Sequence, residues 1–203
     1  MKTFLRLLLV ALVAALASPS ATAQTAESIT FNMVRSAGAT AVADCIPNAR
    51  GRVTINSLGI AEEMHVEALG LPANTDFDVF VIQLPNAPFG LSWYQGDLKT
   101  NSAGTGVADF IGRFSVETFI VAPGSGPAPV VFNNAPFPDA NTNPATGPVH
   151  TYHIGIWFNS PVDAGNAGCP STVTPFNGEH NAGIQAISTR NFGNLNGPLR
   201  KLE

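Results

Sequence analysis

The chain has 203 residues, with 10 Lys plus Arg against 14 Asp plus Glu and a formal net charge of −4. Hydrophobic residues make up 45% of it and charged residues only 12%, so it is too apolar to be a disordered chain. An acidic balance with no dense basic stretch opposes a nucleic-acid role, because phosphate binding needs a clustered positive surface.

The N-terminus reads as an export signal. Lys2 and Arg6 supply a positive start, Leu7 to Ala17 is an unbroken apolar run, and Ala21-Thr22-Ala23 fits a small-x-small cleavage site. That run is too short for a membrane helix, which needs about 20 residues. Cleavage after Ala23 removes Lys2 and Arg6, leaving eight positive against fourteen negative charges, a net −6. The expected organisation is a signal peptide over 1–23 and one domain over 24–203. No later stretch is apolar and long enough to be a transmembrane helix. The expected product is a secreted protein, extracellular or periplasmic.

Period-two alternation dominates the rest of the chain. "SITFNMVR" sets Ile29, Phe31 and Met33 on one face. "GRVTINSL" sets Val53 and Ile55 against Arg52 and Thr54. "EEMHVEALG" alternates Met64, Val66 and Ala68 with Glu63, His65 and Glu67. "LPANT" is a turn, with Pro72 fixing φ and Asn74 tolerating turn geometry. In "DFDVFVIQL", Phe77, Val79 and Val81 share a face, and Phe80 and Ile82 make the other face apolar too. This predicts a strand covered on both sides.

"FGLSWYQGDLKT" and "GVADFIGRFSVETFIVA" flank "NSAGTG", a glycine-rich hairpin turn. "APVVFNN" is a shorter strand candidate. In "VHTYHIGIWFN", Tyr152, Ile154, Ile156 and Phe158 oppose Thr151, His153, Gly155, Trp157 and Asn159. "SPVDAGNAG" predicts a single helical turn capped by Ser160 with Pro161 at its first position. In "AGIQAISTRNF", Ile184, Ala186 and Ser188 oppose Gln185, Ile187 and Thr189. About eight short strands, punctuated by Gly and Pro and almost without helix, predict an all-β fold. The expected form is an antiparallel β-sandwich of Ig-like or jelly-roll type with long loops.

"GLPANTDFDVFVIQ", followed by the "GDLKTNSAGTG" hairpin, resembles a pattern in many exported bacterial β-sandwich proteins. The resemblance covers roughly residues 51–114 and implies the sandwich fold, but no function.

Cys45 and Cys169 are the only cysteines, and export with an even count predicts one disulfide between them. Closing so long a loop stabilises by at most roughly 4–5 kcal/mol in the chain-entropy model. Two cysteines are too few for a cysteine zinc site without histidine.

Catalytic patterns are sparse. His150 and His153, three apart on a strand, point to opposite faces and do not chelate one metal. A site from His153, Glu179 and His180 requires their segments to be neighbours, since zinc takes His and carboxylate ligands. The plainer reading of "PFNGEHNAG" is a turn at Asn177-Gly178 leading into the last strand.

Asp76 and Asp78 share a strand face, and Asp97 and Asp109 flank the hairpin, but glycoside hydrolysis also needs one carboxyl with a raised pKa. No nucleophile elbow or nucleotide-binding glycine motif occurs, and no cofactor or metal is expected. Trp157 shares a face with His153, and Gly155 leaves a notch between them. Trp93 and Tyr94 point to opposite faces of their strand.

These residues favour a secreted, non-catalytic protein that binds carbohydrate or a cell-envelope component, or serves as a structural surface or matrix protein. Its binding residues would be drawn from His153, Trp157, Glu179, His180 and Tyr94. The alternative is a metal-dependent or carbohydrate-active hydrolase using the His/Glu cluster, with Asp76 or Asp78.

Overall fold

The computed structural model describes residues 28–114, 118–119, 149–174 and 181–202. The candidate signal peptide, the "APVVFNN" strand candidate and the Pro/Gly/Asn-rich connections at 123–129 and 133–148 lie outside these residues.

Ten strands are described: β1 Ser28–Arg35, β2 Arg50–Ser57, β3 Glu62–Leu69, β4 Asp76–Ile82, β5 Ser92–Lys99, β6 Gly106–Gly112, β7 Thr118–Phe119, β8 Val149–His150, β9 His153–Phe158 and β10 Gln185–Ser188. Two short helices, α1 Ala37–Thr40 and α2 Pro161–Asn166, and a 3-10 turn at Pro198–Leu202 complete them. Eight strands form one antiparallel sheet in the order β5-β4-β9-β10-β1-β2-β3-β6, and among the described residues β7 pairs with β8 alone.

The all-β, antiparallel, helix-poor expectation holds. The architecture, however, is barrel-like and not clearly the Ig-like or jelly-roll sandwich expected. Hydrogen-bonded ladders run unbroken from β5 round to β6, and those two edge strands are themselves joined as a hairpin. Their pairing begins at Thr100 and Gly106 and extends no further among the described residues. Alternation fixes which side chains share a face. It does not say whether the faces belong to one curved sheet or two stacked ones, which is why the sequence suggested the commoner form.

The interior follows the expected faces: Phe31 and Met33, Val53 and Ile55, Met64 and Val66, Phe77, Val79 and Val81 are all buried in one cluster. β1, β2 and β3 turn their alternate residues to solvent. β4, β9 and β10 do not: almost every residue in them is buried, as expected for β4. Their outer face carries a second, smaller apolar cluster of Phe80, Ile82, Trp157 and Ala182.

One alternation fails. Ile184, Ala186 and Ile187 all pack into the interior cluster, because the pairing of β10 with β9 shifts between Gln185 and Ile187. The extra residue of that bulge puts consecutive side chains on the same side.

Cys45 and Cys169 form the expected disulfide, with 4.6 Å between their Cα atoms, tying the segment after α1 to the end of α2. α2 forms as its capping signal predicts. The Ser160 hydroxyl accepts from the Asp163 N–H at 3.1 Å, and Pro161 occupies the first turn. Replacing Ser160 by alanine orphans that donor and is expected to lower stability by about 1 kcal/mol, read as a shift in denaturant midpoint without a change in slope.

Candidate functional site

The residues singled out from the sequence lie mostly on one surface, the outer face of β5, β4, β9 and β10. Its rows follow from the register. Asp97, Asp78, Trp157 and Gln185 stand side by side across the four strands. Tyr94, Phe80, Gly155 and Ser188 form the next row.

Trp157 and His153 share this face but are not open to ligand, for both have 0% exposure. The notch expected at Gly155 is filled. A Cβ placed there would lie 2.3 Å from Cζ3 of Trp157 and 2.6 Å from Nε2 of Gln185. Gly155 is therefore the space into which the Trp157 indole folds back along its own strand. Phe80 and Phe89 pack edge-on to that indole at 5.4 and 5.0 Å. Phe89 comes from the loop between β4 and β5, closed by Gln83 N–H donating to the Leu91 carbonyl at 2.8 Å and Leu84 N–H to the Phe89 carbonyl at 2.9 Å. A large aromatic flanked by a glycine and roofed by a loop is core, so neither ring face of Trp157 is available for sugar stacking.

His153 is held neutral. Its Nε2 lies 3.0 Å from the Asn194 carbonyl, which only accepts, so Nε2 carries the proton. Nδ1 then accepts from the Thr189 hydroxyl at 3.0 Å. Burial pushes the imidazole down to about 4, against the raising effect of its backbone hydrogen bonds. Both nitrogens are engaged within the protein, which leaves neither free to ligate a metal or relay a proton to substrate.

Glu179 and His180 lie outside the described residues. Around their segment, Thr174 N–H donates to the Ala182 carbonyl at 2.8 Å, and Ala182 belongs to the Trp157 cluster. His150 is separate from His153: its ring stacks on Tyr152 at 5.1 Å, and the Arg200 guanidinium lies 6.0 Å from the same Tyr152 ring.

The carboxylates are dispersed. Asp76 pairs with Lys99 at 3.1 Å on the surface. Asp109 on β6 accepts from His65 on β3 at 2.6 Å, and this hydrogen bond raises the exposed His65 imidazole above its usual value. Asp78 is buried. Among the described residues no group of three His, Cys, Asp or Glu is placed to hold a metal ion.

What remains open is β5. Tyr94 and Trp93 are 46% and 51% exposed. They face opposite ways, as expected: Tyr94 is opposite the outward Phe80 and Trp93 opposite the inward Val81. Trp93 is nonetheless half exposed, because β5 is an edge strand beside the gap where β6 diverges. In that gap the Phe110 ring lies over Gly96, 2.7 Å from where a Cβ would be.

The pairing of β5 with β4 shifts between Val79 and Phe80, leaving Gln95 as an extra residue. In a regular strand, residues 94 and 97 point to opposite faces. The bulge brings them to one face, and the Tyr94 hydroxyl donates to Asp97 Oδ1 at 2.5 Å. Beneath, the Tyr94 ring rests on Phe80 at 5.5 Å. Tyr94 is thus an exposed aromatic fixed at both its ring and its hydroxyl. The sequence points to Tyr94 but not to Asp97 as its partner.

The chain matches no family model, and no curated protein or solved structure matches it. Among the described residues no helix is long and apolar enough to cross a membrane.

Proposed function

We propose that this is an exported, non-catalytic binding protein that takes saccharide chains on the exposed aromatic edge formed by Trp93 and Tyr94. The observation that carries the reading is the fixing of Tyr94. An exposed ring held by Phe80 below and by Asp97 at its hydroxyl has little motion left to lose on binding. Flat apolar bodies with a polar tip suit the alternating apolar faces and hydroxyl rims of pyranose rings.

Export is supported by the order of charge, apolar run and cleavage site at the N-terminus. The Cys45–Cys169 disulfide fits an oxidising compartment. A cell-envelope polysaccharide is the partner class consistent with both. The hydrolase alternative receives less support, since His153 is sealed and neutral and Asp78 is only 2% exposed.

The test is affinity electrophoresis and pull-down against immobilised polysaccharides, comparing wild type with Tyr94→Ala and Trp93→Ala. Each substitution is expected to weaken retention roughly ten-fold, the equivalent of about 1.4 kcal/mol. Thermal unfolding should be nearly unchanged, because both rings are half exposed. Retention unaffected by either change would dispose of the proposal.

A further inference from the structure

The two exposed rings of β5 do not share a plane, and this bears on the physical form of the saccharide they take. Trp93 and Tyr94 are consecutive, and consecutive strand residues point to opposite faces. The register agrees: Tyr94 stands opposite Phe80 on the outer face, and Trp93 opposite Val81 on the inner one. β5 is an edge strand, and both rings are half exposed. They therefore flank the edge of the sheet, one on each side. Among the described residues, β6 is bridged to this edge only at Thr100 and Gly106, the far end from Trp93.

Polar groups line the same edge. Gln95, the extra residue of the bulge, donates from Nε2 to the Trp93 carbonyl at 3.1 Å, which holds its amide beside the Trp93 backbone. Asp97 accepts from the Tyr94 hydroxyl with one carboxylate oxygen and has a second.

We propose that this edge takes single, flexible polysaccharide chains, each passing from Tyr94 over the strand edge to Trp93, and not the flat face of a crystalline polymer. This inference rests on the binding reading above. A crystalline face presents its sugar rings in one rigid plane, so it meets Tyr94 or Trp93 but never both. A free chain turns at each glycosidic bond and stacks one unit on each ring. Between the rings its hydroxyls donate to the Gln95 amide oxygen and to the second Asp97 oxygen.

Two polymers serve as probes, one of β-linked glucose and one of β-linked N-acetylglucosamine. Each is used as crystalline particles and as swollen chains. Wild type is expected to hold the swollen form roughly ten-fold more tightly per accessible chain, because the crystal engages one ring and forfeits the other. On the swollen form, Trp93→Ala and Tyr94→Ala should each weaken retention. On the crystalline form only one of them should, and the other should behave as wild type.

Crystalline retention equal to or tighter than swollen retention overturns the wrapped chain and leaves the binding reading standing. Loss of swollen-chain retention in only one of the two variants also overturns it, since the chain then does not reach the second ring. If wild type retains neither polymer in either form, the binding reading falls and this inference with it.

Discussion

Replacing Trp157 by alanine is expected to destabilise the fold by about 3–5 kcal/mol, the range for emptying a buried aromatic site. The indole is the largest side chain in the outer cluster and fully buried. It is gripped on three sides: Phe80 from the neighbouring strand, Phe89 from the loop above, and its own strand at Gly155. Removing it leaves Phe89 without the surface that anchors the loop between β4 and β5, so that loop should show the largest gain in amide exchange.

The complementary change at Gly155 gives a sharper test. Gly155→Ala in the wild type drives a methyl to 2.3 Å from the indole, and neither the β9 backbone nor the packed ring can yield cheaply. In the Trp157→Ala background the indole clash is gone and only the end of the Gln185 side chain, 2.6 Å away, has to shift, so the second substitution should cost far less than it does alone. Chemical denaturation of the four species measures this coupling. Additive effects would show that the glycine is not the seat of the indole.

How far the sequence reveals the fold depends on the element. The interior of β1, β2 and β3 follows from alternation, because one face meets solvent and polarity marks it. The double cover of β4 is legible at Phe80 and Ile82, since an apolar residue on both faces has only one meaning. What covers it is not: the roof is Phe89, set by a loop whose hydrogen bonds involve backbone atoms and the Gln83 side chain, and none of these leaves a periodic signal.

Both departures in register come from bulges, at Ala186 and at Gln95. A bulge inverts every face assignment beyond it, and neither "QAIS" nor "WYQGD" shows where the extra residue falls. Gly96, at φ +153, is the one local hint, for such a backbone favours glycine. The site suffers most from this. Tyr94 is identifiable from its chemistry, but its partnership with Asp97 exists only across the bulge. His153 and Trp157 do share the face that alternation assigns them. Their residue types suggest ligand chemistry, yet the loops over that face give them packing roles.

The His153 environment makes stability depend on acid in a defined window. The imidazole titrates near 4 in the folded protein against 6.5 when free, so between those values the unfolded chain binds more protons than the folded one. Stability from this group is then fully present above about pH 6.5, declines as pH falls, and is lost below about 4. The depression corresponds to about 3 kcal/mol. Protonation is not blocked by a missing acceptor, because the Thr189 hydroxyl can turn its proton to the Ile154 carbonyl 3.3 Å away. The cost is that of a charge removed from water.

The His65–Asp109 pair works in the opposite sense. Its raised imidazole contributes below about 6.5, and that contribution fades as pH rises through the raised value. Because the pair is exposed, its effect is small beside that of the buried ring. Denaturant midpoints measured from pH 7.5 to 4 should therefore fall in the wild type. In His153→Gln the fall should be markedly shallower, because glutamine keeps polar groups for Thr189 and Asn194 but takes up no proton. If the variant loses stability with acid as steeply as the wild type, the acid sensitivity belongs to the carboxylates and not to this histidine.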